Sequence, residues 1–162
     1  MPLFPLFTDL QGREVLVVGG GEVATRKIQA LLRAGARVLV HAHALAPALE
    51  ALAAEGPLQC LPGDAIDLGW IERAWLVVAA TDEHALNREL AAQASAAKRW
   101  INVVDDAELS SYQVPAVVDR EPITIAISSA GAAPMLARQL RERLEAEIDP
   151  SIGELARLFA RH

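Results

Sequence analysis

The stretch "VLVVGGGEVATRKIQALLRAGARVLVHA", residues 15–42, decides how this chain folds. Val15 to Val18 is a short, wholly apolar run that ends in three glycines, Gly19 to Gly21. A run unbroken by polar residues reads as a strand covered on both faces, as in a parallel sheet. From Glu22 the period changes: Ala24, Ile28, Leu31 and Leu32 share one helical face, and Gly35 stands where a helix C-terminus is expected. "ARVLVHA" (36–42) then predicts a second strand. Between the first strand and the helix, Gly19, Gly21 and Ala24 fit G-x-G-x-x-G/A. The first glycine permits a tight turn, the second lets backbone approach a pyrophosphate, and Ala24 lets the helix lie close on the strand. The helix N-terminus adds unpaired N–H groups for the phosphates. The pattern is that of a dinucleotide site.

The end of the second strand complicates it. Val40, His41, Ala42 and His43 include no carboxylate for the adenosine ribose hydroxyls and no arginine for a 2′-phosphate. Ribose recognition then falls to backbone groups or neutral side chains, and modest affinity is expected. The missing arginine favours NAD over NADP without deciding between them. His41 and His43 share one side of the strand, yet no third ligand stands at metal spacing. Exposed strand-end histidines are the simpler expectation.

Outward from this unit, "PALEALAAEG" (47–56) predicts a short helix with Pro47 in its first turn and Gly56 after its end. "LQCL" (58–61) predicts a third strand and "WLVVAA" (75–80) a fourth, buried one. Thr81 and Asp82 follow at the edge where ligands bind, and Asp82 is expected to cap a helix carrying Leu86, Leu90 and Ala94. "WINVVD" (100–105) predicts a fifth strand. Strand and helix thus alternate to about residue 105, the grammar of a Rossmann-type doubly wound parallel sheet in an α/β fold.

Beyond Ser110 the grammar changes. "PAVVDREPITIAISS" (115–129) predicts two antiparallel strands joined across "DREP". A helix follows with Leu136, Leu140, Leu144 and Ile148 at every fourth position, stopped by "DP" at 149–150. Ser151 and Glu154 have capping-box spacing and open another amphipathic helix. Left alone, this region would expose a strand edge and an apolar helix face, which pairing about a two-fold axis would cover. A homodimer is therefore expected. The organisation expected is a Rossmann domain over 1–113, a small α+β dimerisation region over 114–148 and the start of a helical region over 149–162.

Bulk properties narrow the function classes. With 52% hydrophobic residues, 162 residues can bury one substantial core. The formal net charge of −6 disfavours a nucleic-acid partner, whose phosphates demand surplus cations. No apolar run approaches the ~20 residues of a membrane span. "MPLFPLFTDLQG" lacks the charged start and long apolar centre of a secretory signal, and a single cysteine, Cys60, excludes an internal disulfide. These features suit a cytoplasmic protein without a membrane partner.

Asp105 directly follows the fifth predicted strand, which puts it on the same sheet edge as the glycine loop. Its residue type leaves two readings open: a proton acceptor beside the nucleotide, or a cap on the turn after the strand. Asp106 reads as a turn residue, and Asn102 is left unassigned.

Several segments together resemble a known family. They are "PLF" (2–4), "VLVVGGGEVATRKIQALLRAGA" (15–36), "AATDEHALN" (79–87), "INVVDD" (101–106), "VPAVVDREPITIAISS" (114–129) and "AGAAPMLARQLRERLE" (130–145). In this order they resemble the precorrin-2 dehydrogenase/sirohydrochlorin ferrochelatase module, the N-terminal half of bacterial siroheme synthase. The resemblance implies NAD-dependent oxidation of precorrin-2 to sirohydrochlorin, with insertion of Fe²⁺, as chelatase substrate, to follow in the same pocket. It implies NAD contacts at Glu22, Val23, His43 and Ala44, which join Gly19, Gly21, Ala24 and Thr81 in the cofactor set. It assigns Asp105 as the catalytic aspartate. That carboxylate would accept the proton lost from the macrocycle and could briefly ligate Fe²⁺, with no dedicated metal site. The serine that is phosphorylated in some of the family maps to Ser129.

The substrate that the resemblance implies is a polycarboxylate, so local cations must outvote the negative total. Arg120, Arg138 and Arg141 are candidates, as are Arg26 and Lys27 just past the nucleotide loop. Arg120, Ser129 and Arg138 form the expected substrate set. Arg138 and Arg141 also stand at one-turn spacing from Glu142 and Glu145, where they would simply pair.

Two departures matter. Where the family has a Gly-Gly pair and a Ser or Thr before the late proline, this chain reads "SSAGAAP" (128–134), with Ala130, Ala132 and Ala133. The family also continues beyond the point where this chain stops, which marks a short form or an excised piece and puts chelation in particular at risk. The rival reading is a dinucleotide-sensing regulatory domain, which needs the glycine loop and a dimer surface but no catalytic carboxylate.

Overall fold

The computed structural model describes residues 3–63 and 65–161; the expected domain limits at Met1 and His162 lie outside the described residues. The chain divides into two compact units, one over Leu6–Tyr112 and one that takes in Gln113 onward together with the N-terminal segment up to Pro5. Among the described residues, no helix is long and apolar enough to cross a membrane.

The first unit runs β1 (Glu14–Val18), α1 (Glu22–Arg33), β2 (Arg37–His41), α2 (Pro47–Glu55), β3 (Leu58–Cys60), α3 (Leu68–Arg73), β4 (Leu76–Ala79), α4 (His84–Ala96) and β5 (Trp100–Val103). All five strands are parallel, in the order β3-β2-β1-β4-β5. This is the expected doubly wound arrangement, and strand order reverses beside β1, where a crevice opens at the carboxyl edge. Period-2 alternation divides the core. Val15, Val17, Val38 and Val40 pack with Ala24, Ile28 and Leu49 on one face. Leu16, Val18, Leu39 and Val77 pack with Ile71, Leu90 and Ala94 on the other. No residue from Val15 to Val18 is more than 2% exposed, so β1 is apolar throughout because both of its faces are covered. Burying each such side chain contributes about 1.5–3 kcal/mol.

Gly35 ends α1 as its position predicts. At φ 77° it takes the left-handed conformation, its N–H donates to the Leu32 carbonyl, and the Ala36 N–H donates to that of Leu31. These two bonds close the helix in a Schellman motif.

The structure of the first unit differs from the sequence reading at several places. Helix α3 was not predicted: at six residues, with only Ile71 buried, it is too short for periodicity to reveal, and its clearest signal is Asp67, whose carboxylate accepts the Gly69 N–H. Trp75 precedes β4 and is 45% exposed, with the Arg13 guanidinium 3.7 Å from its ring centroid. Asp82 does not cap α4; the N-cap is Glu83, which makes no side-chain cap bond. Strand β5 ends at Val103, so Asp105 sits in the turn after it rather than at its end. On the outer side of β5, the Ser111 and Ser110 hydroxyls accept the N–H groups of Ile101 and Val103.

The second unit is a hairpin and two helices: β6 (Ala116–Arg120), β7 (Ile123–Ile127), α5 (Pro134–Glu147) and α6 (Ser151–Phe159). The strands are antiparallel, with Ala116 opposite Ile127 and Arg120 opposite Ile123, as "DREP" predicts. α6 lies against the hairpin turn through Gly153, where a Cβ would strike the carbonyls of Arg120 and Glu121. The expected capping box does not form: Ser151 is already helical, and the Asp149 carboxylate accepts its N–H at 2.8 Å. Hydrogen bonds from the Ser151 side chain and backbone hold the Asp149 carboxyl below its ordinary range. Only Val118, Ala137 and Gly153 are buried among the described residues of these four elements. The predicted ladder on α5 is left largely uncovered, with Leu136 and Leu140 exposed.

Candidate dinucleotide site

A cleft of about 870 Å³ opens at the carboxyl edge of the five-stranded sheet, wholly within the first unit. It is lined by the glycine run after β1, His41–Ala44 after β2, Ala65 and Ile66 after β3, Ala80–His84 after β4 with the adjoining part of α4, and Val104 and Asp105 after β5. Its size lies within the range of small-molecule and cofactor sites.

The glycines divide the work differently from the sequence pattern. Gly19 has φ 120°, and a Cβ there would strike the Ala80 carbonyl. Gly20, which the pattern passes over, is equally confined: a Cβ would strike the Ala44 carbonyl, and its own carbonyl accepts the Ala46 N–H. A Cβ on Gly21 would meet nothing within 4 Å. That open ground lies at the N-cap of α1, where the first turn closes with the Thr25 N–H on the Gly21 carbonyl. The N–H groups of Glu22, Val23 and Ala24 precede any possible intrahelical partner and are available to an anion. Ala24 itself is fully buried and does not line the cleft; it seats α1 on the sheet. These residues fit a pyrophosphate.

At the ribose end, His43 and Ala44 are exposed on the cleft wall. His41 is 5% exposed, its ring 5.6 Å from that of Trp70 and 6.4 Å from that of His43, which corrects the expectation of an exposed histidine pair. Among the described residues no group of three or more His, Cys, Asp or Glu could hold a metal ion.

Thr81 is fixed by a partner not foreseen from sequence. Its hydroxyl donates to Asn87 Oδ1 at 2.8 Å and accepts the Glu83 N–H, while Asn87 Nδ2 donates to the Thr81 carbonyl. The hydroxyl proton is committed, so Thr81 offers a ligand acceptor capacity alone. Asn87 is 4% exposed; a polar residue within an apolar helical face was the signal that could have found it.

Asp105 stands in the left-handed region at φ 59°. The turn is held from the next residue: Asp106 Oδ1 accepts the Glu108 and Leu109 N–H groups, and the Ser110 hydroxyl donates to the Asp106 carbonyl at 2.6 Å. Asp106 is thus the turn residue, as its position predicts, and Asp105 is presented to the cleft with its carboxylate exposed. Lys27, half-buried on α1, donates to Asn102 Oδ1 at 2.9 Å. Burial pushes its ammonium below the usual lysine range, and the Asp105 charge pulls it back up.

In the second unit, Ser129, Arg138 and Arg141 line a hollow of about 400 Å³. The Ser129 hydroxyl accepts the Ala133 N–H at the start of α5. Arg141 pairs with Glu142 and Glu145, while Arg138 lies exposed. The Arg120 guanidinium donates to the carbonyls of Asp119, Glu145 and Ile148, which ties the hairpin to the end of α5.

Comparison with known proteins bears on both units. Residues 6–116 match the family described as putative NAD(P)-binding, and residues 120–147 match the one described as the central part of sirohaem biosynthesis proteins. Siroheme synthase of Xylella fastidiosa (strain M12) is 51% identical over 158 residues, 98% of this chain and 33% of that protein. Siroheme synthase 1 of Serratia proteamaculans (strain 568) is 46% identical over 161 residues, 99% of this chain and 34% of that protein. The solved structure of SirC, a precorrin-2 dehydrogenase, matches with a TM-score of 0.78 at 28% identity, over 98% of this chain and 78% of that one. The chain spans about one third of the length of the siroheme synthases it matches.

Proposed function

This chain belongs to the putative NAD(P)-binding family, in the form shared with siroheme synthases, and from that premise we propose that it oxidises precorrin-2 to sirohydrochlorin with NAD. The observation that carries the reading is the presence of Asp105 on the same cleft as the glycine loop. The bound nicotinamide supplies the acceptor for the hydride. The chain supplies the rest. The first turn of α1 binds the pyrophosphate through backbone N–H groups, and Thr81, locked by Asn87, accepts from a ribose hydroxyl. The macrocycle loses a proton together with the hydride, and the Asp105 carboxylate takes it.

Among the described residues, no lysine or arginine lines the dinucleotide cleft. The ring's carboxylates therefore draw on other cations; in the second unit, Arg138 beside Ser129 is a cation that no ion pair engages among the described residues. Arg120 is already committed to three carbonyls and serves the scaffold in this reading. Fe²⁺ enters as a second substrate, with Asp105 accepting the two protons displaced from pyrrole nitrogens one at a time and passing each to solvent. Residues 114–148 act as a dimerisation region through the hairpin edge and the apolar face of α5.

The test is anaerobic incubation with precorrin-2 and NAD, with NADH and the spectrum of the tetrapyrrole followed together. The wild type should form both products in step. Asp105→Asn should lose at least about 100-fold in turnover while binding NAD as before. A variant of undiminished turnover, or a wild type that binds NAD and forms no NADH, would leave the sensing domain as the better account. Fe²⁺ added afterwards reads the chelation step.

A further inference from the structure

We propose that Gly20, the glycine the fingerprint passes over, determines how the chain reads the adenosine ribose. It seats the His43–Ala44 main chain where a carboxylate would otherwise stand, so that peptide groups meet the ribose hydroxyls. The inference rests on the reading of the cleft as a dinucleotide site and extends it to the recognition of one sugar.

Folds of this type place an acid for the ribose about 20 residues beyond the glycine run, at the end of the second strand. Here that segment reads His41, Ala42, His43 and Ala44, all four on the cleft wall. Gly20 clasps it twice. An added Cβ would strike the Ala44 carbonyl and lie 2.9 Å from the Ala42 methyl, so both rest against a bare α-carbon. The Gly20 carbonyl in turn accepts the Ala46 N–H at 2.7 Å. Ala46 is the N-cap of α2, with Pro47 in the first turn, so the clasp ties the start of one helix to the glycine loop that leads into another. A side chain at position 20 would lift the segment off that loop. The phosphate pattern asks for no glycine there; the neighbouring main chain does.

What the clasp presents is peptide. Among the described residues, no hydrogen bond takes up the N–H groups of His43 and Ala44 or the His43 carbonyl, and both residues are exposed on the cleft wall. Peptide N–H groups donate and carbonyls accept, while each ribose hydroxyl does both, so a fixed peptide segment suits a diol. It also suits the charge of the site. The cleft already carries the carboxylates of Glu22, Asp82, Glu83, Glu89 and Asp105, and no lysine or arginine lines it among the described residues. One more acid would add to the repulsion felt by the pyrophosphate, whereas the main chain reads the ribose with no net charge.

The experiment titrates NAD and its 2′,3′-dideoxyadenosine analogue, which lacks only the adenosine diol, into four proteins by calorimetry: wild type, Gly20→Ala, Ala46→Pro and Gly21→Ala. The wild type should bind NAD about tenfold more tightly than the analogue. Gly20→Ala should weaken NAD by about the same tenfold and leave the analogue almost unchanged, so that the preference disappears. Ala46→Pro removes the N–H that closes the clasp, at a φ of −63° that proline already favours. It should lose the preference too, and it serves alone if Gly20→Ala does not fold. Gly21→Ala acts at the pyrophosphate, so it should weaken both ligands equally and keep the preference. Each preference compares two ligands on one protein, so a general loss of stability does not move it. A wild type that binds both ligands equally, or a folded Gly20→Ala or Ala46→Pro that keeps the full preference, overturns the proposal and leaves the dinucleotide reading intact. A wild type that binds neither ligand overturns that reading, and the proposal with it.

Discussion

The two units meet the demands of folding in opposite ways. Leu6–Tyr112 closes its sheet between helices, and its β1 residues Val15, Leu16 and Val17 are wholly buried. In the unit from Gln113 onward, Met135, Leu136, Leu140, Leu155, Leu158 and Phe159 all remain exposed, most of them more than half. Scattered exposed apolar residues need no explanation, but a run of them along two successive helices does. The first unit is complete as a core. The second is a surface in search of a partner, and the homodimer proposed above would cover it.

Backbone strain follows the same division and gives the sharpest way to break the comparison. Gly19→Ala forces a side chain into a left-handed position against the Ala80 carbonyl, just past the ends of β1 and β4. It should cost about 3 kcal/mol or more and lower the melting transition of the whole first unit, as calorimetry would show. Gly21→Ala is its control: the added methyl points into open space, so stability should change by less than about 0.5 kcal/mol while dinucleotide affinity falls, read by NADH fluorescence. Equal losses of stability from both would remove the division of labour between the glycines.

The second unit is tested through association. Leu136→Asp with Leu140→Asp should convert a dimer into monomers in light scattering, and NAD binding to the first unit should be retained. A wild type that is monomeric at micromolar concentration would remove the contrast between the units altogether. The smallest effect is expected at Ala130, an alanine held at φ 52° in the loop before α5. Ala130→Gly relieves that conformation and should stabilise the unit by about 0.5–1 kcal/mol in denaturant titration.

What was legible in the sequence was local and periodic. The buried run Val15–Val18, the glycine turn, the helix face of Ala24 and Ile28, and the hairpin across Glu121 and Pro122 were each written within a few consecutive residues. Helix α3 escaped because its six residues bury only Ile71, less than one period of signal. The role of Asp82 was misread because Thr81 and Asn87, six residues apart, take over the entry to α4. Of the candidate site, the glycine loop and Asp105 could be placed on one edge from strand order alone. The bond between Lys27 and Asn102 spans 75 residues of sequence and exists only once the sheet has formed. Gly20 was invisible for a related reason: its constraint is the Ala44 carbonyl, which belongs to another loop.

The serines beside β5 bear on what larger assemblies this chain can build. A five-stranded open sheet has two rims, and one of them, β3, is three residues long. At the other rim the Ser110 and Ser111 hydroxyls occupy the donors of Val103 and Ile101 that an incoming strand would need. A molecule adhesive at a rim and on its helices would have two unlike contacts and could string into filaments. With these rims blunted, the proposed homodimer would rest on the apolar helix surface of the second unit, and assembly through a single self-complementary face would end at two copies.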